Sequence, residues 1–252
     1  VKSNMYEKMY NESLNSSIDI IVSDMINYKS QINQYYSKEL ELEKGVYNYE
    51  DIQKKVMPKF FKDNSFNSMA NKLFKNSIVK ESNLRLDEYI YYAEDWKFNV
   101  EFFKYAKSLA YINEAFYFYR RGYDSSSSIY KDNTFEQNGV NLYKHRKEYS
   151  IYFGIDKYSG SYDFFQTTYH CLIREVYRND INLQSKLENI KNIINNKYLI
   201  EAISILNRNK LNIKQTLIYI LIKYKLTFMI YIYLFSKTKL ATVNCTINSL
   251  RR

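Results

Sequence analysis

Proline and glycine are scarce in this sequence, with 1 Pro and 5 Gly in 252 residues, so the joints between segments rest on Asn and Ser as well as Gly. There are two cysteines, Cys171 and Cys245, far apart and without zinc-ligand spacing. That excludes a disulfide framework or a zinc module and fits free thiols in a reducing compartment. The two histidines, His145 and His170, stand equally alone, so the sequence offers no metal site of its own. No secretory signal opens the chain, no repeat of fixed period runs through it, and Ser125–Ser128 is its one low-complexity run. Aromatic residues are abundant, 28 Tyr and 15 Phe, within a hydrophobic content of 46% that suffices for a real core. Tyr, Asn, Lys and Ile are together what an AT-rich genome encodes, so the tyrosines are not read as a carbohydrate-stacking surface.

Acidic residues are missing where basic ones collect. The net charge is +10, and residues 181–252 carry all of it, with 12 Lys or Arg against Glu188 and Glu201. Residues 1–180 are balanced, 25 against 25. Such asymmetry points to a polyanionic partner, nucleic acid or an anionic membrane surface. The basic excess lies beside an apolar run and not among loop aromatics, and no recognised nucleic-acid module is visible, which favours the membrane.

Lys2–Leu14 reads as a helix with Met5, Tyr6, Met9 and Tyr10 on an apolar side. Asp19–Ile26 reads as a buried strand, and Tyr28–Glu43 as polar loop. Tyr47–Lys62 reads as a helix with Glu50-Asp51 at its start and Pro58 at a kink or end. Asn71–Phe74 is a short strand or turn and Asn76–Ser82 a short helix. After Asp132 the pattern is helical: Phe135–Tyr152, Tyr162–Tyr177, Asn182–Ile194 and Lys197–Asn207. A boundary near residue 130 therefore separates an α/β part, 1–130, from a helical region, 131–252. Thr216–Phe235 has the length of a membrane span, but Lys223 and Lys225 near its middle would each cost about 2.5–3.5 kcal/mol in one. A helix in the headgroup layer with snorkelling lysines is cheaper, and a packed helix remains open.

The organising stretch is 71–128. Leu84–Tyr92 reads as strand-like or turn, and two carboxylates, Glu94 and Asp95, then open a helix whose Trp96, Val100, Phe103 and Ala106 share a side. Leu109–Ile112 and Phe116–Arg120 read as two strands, followed by the loop Arg121-Gly122-Tyr123-Asp124 and four serines. An acidic pair at a helix start is ordinarily a capping and dipole arrangement, and Glu50-Asp51 is a second example.

The ordered set Asn71-Lys72-Leu73-Phe74, Arg85-Leu86-Asp87-Glu88, Ala93-Glu94-Asp95-Trp96 with Phe98-Asn99, Tyr111-Ile112-Asn113-Glu114 and Tyr117-Phe118-Tyr119-Arg120 resembles the second half of the catalytic domain of bacterial family 2 glycosyltransferases. The resemblance implies the C-terminal half of a GT-A (Rossmann-like) domain, the acceptor side, followed by an α-helical appendage. It implies that Asp95 is the catalytic base and that Glu94 orients it or receives an acceptor hydroxyl. Trp96 would stack on a sugar face or pack in the core. Arg120 and Arg121, with the serine loop, would close over a donor diphosphate, to which guanidinium groups are suited. The alternative for them is a solvated basic turn, and Asp124 stands where many relatives carry a His. Asn71 and Lys72 match a motif near the acceptor, where they contact substrate or hold structure.

In that family the helix–strand pair at the start of this chain follows an Asp-x-Asp motif that holds a divalent cation, Mg or Mn, and the nucleotide-sugar diphosphate. No Asp-x-Asp occurs here. The expectation is a chain that begins past it and by itself has little transferase activity. The implied reaction is inverting transfer from a nucleotide sugar, a UDP-sugar, to a glycan or lipid-linked acceptor in capsule, exopolysaccharide or lipopolysaccharide assembly. The implied location is the cytoplasmic face of the plasma membrane, held through segment 214–240. The competing expectation is a non-catalytic basic helical module that binds anionic membrane or nucleic acid.

Overall fold

A run of β-branched residues covered on both faces makes a central strand. Ile20, Ile21 and Val22 are such a run, each at most 2% exposed, and they open β1 (Ile20–Lys29). The computed structural model describes residues 1–14, 17–29, 34–38, 40–62, 66–88, 93–121, 135–156 and 160–236. β5 (Ser108–Arg121) runs parallel to β1 along its length, from Leu109 beside Ile20 to Arg121 beside Lys29. β4 (Lys72–Phe74) pairs antiparallel with the first third of β1 and β2 (Gln34–Lys38) with its last part. β3 (Gly45–Asn48) lies antiparallel along the start of β5. The result is a mixed five-stranded sheet, four strands in the order β2-β1-β5-β3 with β4 also beside β1.

The pairing of β1 with β5 slips twice, between Ser23 and Met25, because β5 carries extra residues there. Such bulges re-aim side chains. Beside them the buried Asp24 accepts the Tyr111 hydroxyl at 2.8 Å and the Leu40 N–H at 3.0 Å, which ties the segment after β2 to the sheet. The two strands expected at Leu109–Ile112 and Phe116–Arg120 are thus one bulged strand. Tyr28–Glu43 is not simply loop, since it holds the end of β1 and all of β2.

α1 (Met5–Leu14) packs Met5 and Met9 against Ile21, Ala110 and Phe116, while Tyr6 and Tyr10 face outward, contrary to the expected apolar side. The helix expected from Tyr47 starts two residues later, because Tyr47 and Asn48 close β3. It runs through α2 (Tyr49–Asp51), a wide π-turn at Ile52–Val56 and α3 (Met57–Lys62). Pro58 has no N–H to donate, and its ring would crowd the carbonyl of Lys54 in a regular helix, so the wide turn sits just before it. α4 (Asn76–Glu81) is short.

α5 (Glu94–Phe102) buries Trp96, Val100 and Phe102 completely, as do the neighbouring Phe103 and Ala106. Rings of α3 meet this face. Phe60 lies 5.4 Å from Phe103, and Phe61 5.6 Å edge-on to Trp96. Each such fully buried Phe is worth roughly 1.5–3 kcal/mol.

The chain divides into two compact units, Val1–Asp132 with His145–Lys157, and Asn133–Lys144 with Tyr158–Arg252. The division differs from a single cut near residue 130 in that 145–157, most of α6 (Leu142–Tyr152), belongs with the α/β unit. The fold is therefore α/β followed by a helical region. The second unit is built from a π-turn at Phe135–Asn141, α7 (Ser161–Tyr177), α8 (Leu183–Ile194), α9 (Lys197–Ile205) and α10 (Ile213–Lys223), with a further helix, α11, at 227–236. Asn182, Asn196 and Asn212 cap α8, α9 and α10 by side-chain hydrogen bonds at 2.9–3.0 Å, each worth about 1 kcal/mol. Gly139 is required by packing, since a Cβ there would stand 2.9 Å from the Phe164 ring. The apolar run Thr216–Phe235 is not one helix. Lys225, at φ 56°, breaks it, and among the described residues no helix is long and apolar enough to cross a membrane.

Candidate active site around Asp95

Helix starts normally recruit a side-chain oxygen to the free N–H groups of the first turn. α5 does not. Its N-cap is Ala93, in the left-handed region at φ 62°, ψ 25°, with no capping side chain. That conformation costs an L-alanine about 1 kcal/mol. Strain of this kind gathers at functional sites. Glu94 and Asp95 follow in the first turn, where the helix dipole favours their charge. Neither acts as the N-cap, so the simple capping account does not hold for this pair.

Asp95 reaches away from its own helix. Its Oδ2 accepts the backbone N–H of Met69 at 3.4 Å, a long and hence weak bond. The carboxylate is half-buried, and burial holds its pKa above the ordinary 3.8, against the opposing effects of the Met69 N–H and the positive charge of Lys72. It takes part in no ion pair among the described residues. Glu94, also half-buried, makes no hydrogen bond or ion pair among them.

The segment from Phe66 to Lys72 that presents Met69 is stitched in place by buried polar side chains. The Lys72 ammonium donates to the carbonyl of Phe66 at 2.8 Å, to that of Ser68, and to Asn71 Oδ1 at 3.5 Å. Asn71 Nδ2 donates to the Ser23 carbonyl, and the Asn71 carbonyl receives the Ser23 N–H at 2.9 Å. Asn99, one helical turn after Asp95, donates from Nδ2 to the Asn67 carbonyl at 2.8 Å and to the Asp95 carbonyl at 2.7 Å. Its Oδ1 is buried without a partner among the described residues.

The expected site residues therefore separate into groups. Asp95 and Glu94 sit together, with Asn71 and Lys72 behind Asp95. Asn71 and Lys72 are only 1% and 6% exposed and hold the loop, which favours the structural of their two expected roles over contact with substrate. For Trp96, too, the core alternative is the one observed. It is fully buried, its Nε1 donates to the Phe60 carbonyl at 2.8 Å, Phe61 and Tyr149 meet it edge-on, and Arg146 lies 5.4 Å from its ring centre. No sugar can stack there. Arg120 is exposed and pairs with Tyr28, whereas Lys72 pairs with Val22. At about 3.3 Å per residue that puts Arg120 roughly 20 Å further along β1. The side chain of Arg121, residues 89–92 and the Gly122–Ser128 loop lie outside the described residues.

Two contributors were not assigned from sequence. Asn99 was legible in principle, four residues after Asp95 and so on its side of the helix. Met69 acts through its backbone, which side-chain chemistry does not announce. The described residues also line an opening of about 420 Å³ between α1, the start of β1 and the end of β4, among them Tyr10, Leu73 and Lys75. Its one carboxylate, Asp19, is held by Lys75 at 3.1 Å, and its lining includes none of the residues around Asp95.

No family model and no curated protein matches the sequence. Among solved structures the chain is similar to S. aureus TarS 1–349 in complex with UDP-GlcNAc, at 10% identity, covering 94% of this chain and 64% of that one, with a TM-score of 0.47. TarS 1–349 is matched again at 9% identity, 94% and 63% coverage and TM-score 0.43. In complex with UDP it is matched at 10%, 93% and 62%, and 0.41. This chain thus spans less than two thirds of the TarS chains it matches.

Chemically, the site offers a carboxylate of raised pKa held by a neutral donor, with one oxygen, Oδ1, without a hydrogen-bond partner among the described residues. Such a group accepts a proton readily. Among the described residues no three His, Cys, Asp or Glu side chains come together, so the donor set for a divalent cation is not met by them.

Proposed function

We propose that this chain is the acceptor-side part of an inverting bacterial glycosyltransferase of the family 2, GT-A type. The observation that carries the reading is the environment of Asp95, a half-buried carboxylate of raised pKa that neither caps its helix nor pairs with a cation. It supports the base role that the Ala93-Glu94-Asp95-Trp96 motif implies. The substrates are a nucleotide-sugar donor, a UDP-sugar, and a glycan or lipid-linked acceptor in surface-polysaccharide assembly. An acceptor hydroxyl attacks the anomeric carbon, Asp95 takes its proton, the bond to the diphosphate breaks on the opposite side, and configuration inverts. Glu94 orients an acceptor hydroxyl beside it. Arg120 and Arg121 belong to this reading only as outlying phosphate contacts.

The test is UDP release from UDP-sugars, UDP-GlcNAc first, with acceptor extracts and the longest polypeptide that carries this chain. Asp95→Asn cuts turnover about 10²- to 10⁴-fold with the circular dichroism unchanged. Unchanged turnover overturns the assignment. The 252-residue chain alone binds uridine diphosphate and manganese more weakly than micromolar in isothermal titration, and micromolar binding refutes a diphosphate cradle outside these residues.

A further inference from the structure

A helix that packs one face on a core and turns a second apolar stripe to solvent has something left to bury. α10 does this. Ile218, Leu221 and Ile222 enter the core of the helical unit, while Ile213, Leu217, Ile220 and Tyr224 stay exposed, Ile213 at 91% and Tyr224 at 65%. Their spacing, i, i+4, i+7 and i+11, is a single stripe along the helix. Lys214 and Lys223, both exposed, lie roughly a quarter-turn to either side of it. α11 repeats the pattern, with Ile230 and Leu234 buried and Phe228, Ile232 and Phe235 outward, Phe228 at 57%. Between the two helices Lys225 and Leu226 are exposed as well.

We propose that the outward stripes of α10 and α11 dock the protein on an anionic lipid membrane. The chemistry selects this occupant in two ways. Lysines that flank an apolar stripe can lower it into the acyl boundary while their ammonium groups stay among phosphates. From Ala202 to Arg252 the sequence holds nine Lys or Arg and no Asp or Glu, so the stretch that carries the stripes bears charge of one sign. A protein partner would need an acidic rim around an apolar groove, whereas a bilayer with anionic headgroups presents both layers everywhere. The inference does not depend on the transferase reading.

The experiment is co-sedimentation of the full chain with phosphatidylcholine vesicles, with and without phosphatidylglycerol, at low and high salt. The chain binds the anionic vesicles, and binding falls with salt. Ile220→Glu and Phe228→Glu each lower the partition coefficient roughly tenfold or more. Lys214→Gln, Lys223→Gln and Lys225→Gln each lower it about fivefold on anionic vesicles only. These lysines are exposed, so the Gln variants keep their melting temperature and the test stands even if a Glu variant misfolds. Absence of binding to anionic vesicles overturns the proposal, as does binding that ignores salt and lysines. It also fails if the chain is a dimer that Phe228→Glu dissolves while lipid binding is unchanged, since a second copy then covers the stripes.

Discussion

Two acidic pairs open helices in this chain, Glu50-Asp51 and Glu94-Asp95, and the structure treats them in opposite ways. At the first, Asn48 caps the helix in extended backbone and accepts the Asp51 N–H at 3.0 Å. Lys54 and Lys55, one turn on, pair with Glu50 at 3.3 Å and Asp51 at 2.8 Å. The Asp51 carboxyl is held below its ordinary pKa, chiefly by the hydrogen bond from Lys55. At the second there is no capping side chain, the residue before the pair is strained, and burial holds Asp95 above its ordinary value. The same two-residue signal thus marks a solvated helix start in one place and a half-buried carboxylate at an uncapped start in the other. What separates them is the surroundings, a lysine one turn away against a folded-over loop.

The contrast can be broken most sharply by activity. In the UDP-release assay Asp95→Asn loses about 10²- to 10⁴-fold, whereas Asp51→Asn stays within about twofold. Equal losses would erase the distinction. Next come the anchors that follow each pair. Trp96 and Ile52 are both completely buried, so Trp96→Ala costs about 3–5 kcal/mol and Ile52→Ala about 2–5 kcal/mol in urea melts. The pairs differ in chemistry but share this apolar fixing point. The caps separate them again. Asn48→Ala destabilises by about 1 kcal/mol, and Ala93→Gly stabilises by about 0.5 kcal/mol, because glycine adopts the left-handed conformation freely.

The smallest effect is in pH dependence, and its sign differs between the pairs. A lowered carboxyl pKa adds stability above the ordinary value of 3.8, lost as pH falls through the folded-state pKa. Asp51→Asn therefore weakens the protein at neutral pH and the difference vanishes in acid. A raised pKa adds stability that is full below 3.8 and is lost as pH rises through the folded-state value. Asp95→Asn is therefore the more stable protein at neutral pH, and it converges with the parent in acid. Urea midpoints across pH check both signs.

Local pattern announced some of this and long-range pairing the rest. The helical spacing of Trp96, Val100, Phe103 and Ala106 predicts a buried face, and all four are buried. The run Ile20-Ile21-Val22 predicts the central strand. The Asn residues at 182, 196 and 212 lie where helices begin because a short amide caps them locally. β2 was hidden because Tyr35 and Tyr36 are exposed, and their strand exists only through Tyr28 and Asn27 on β1. The bulges of β5 lie opposite Asp24 on another strand, a pairing that local pattern does not show. The break at Lys225 was masked by apolar residues on both sides of it. At the site, Asp95 was legible as a motif, but its burial was not. That comes from Met69 and the carbonyls that hold Lys72, contacts fixed by tertiary structure.

The Asp95 carboxyl accepts one backbone N–H and makes no ion pair among the described residues, so gaining a proton there breaks no salt bridge. The Phe66–Lys72 crossing stays fastened by Asn99 and Lys72 whichever form the acid takes. A change of protonation at such a residue leaves the backbone around it fastened by the same bonds.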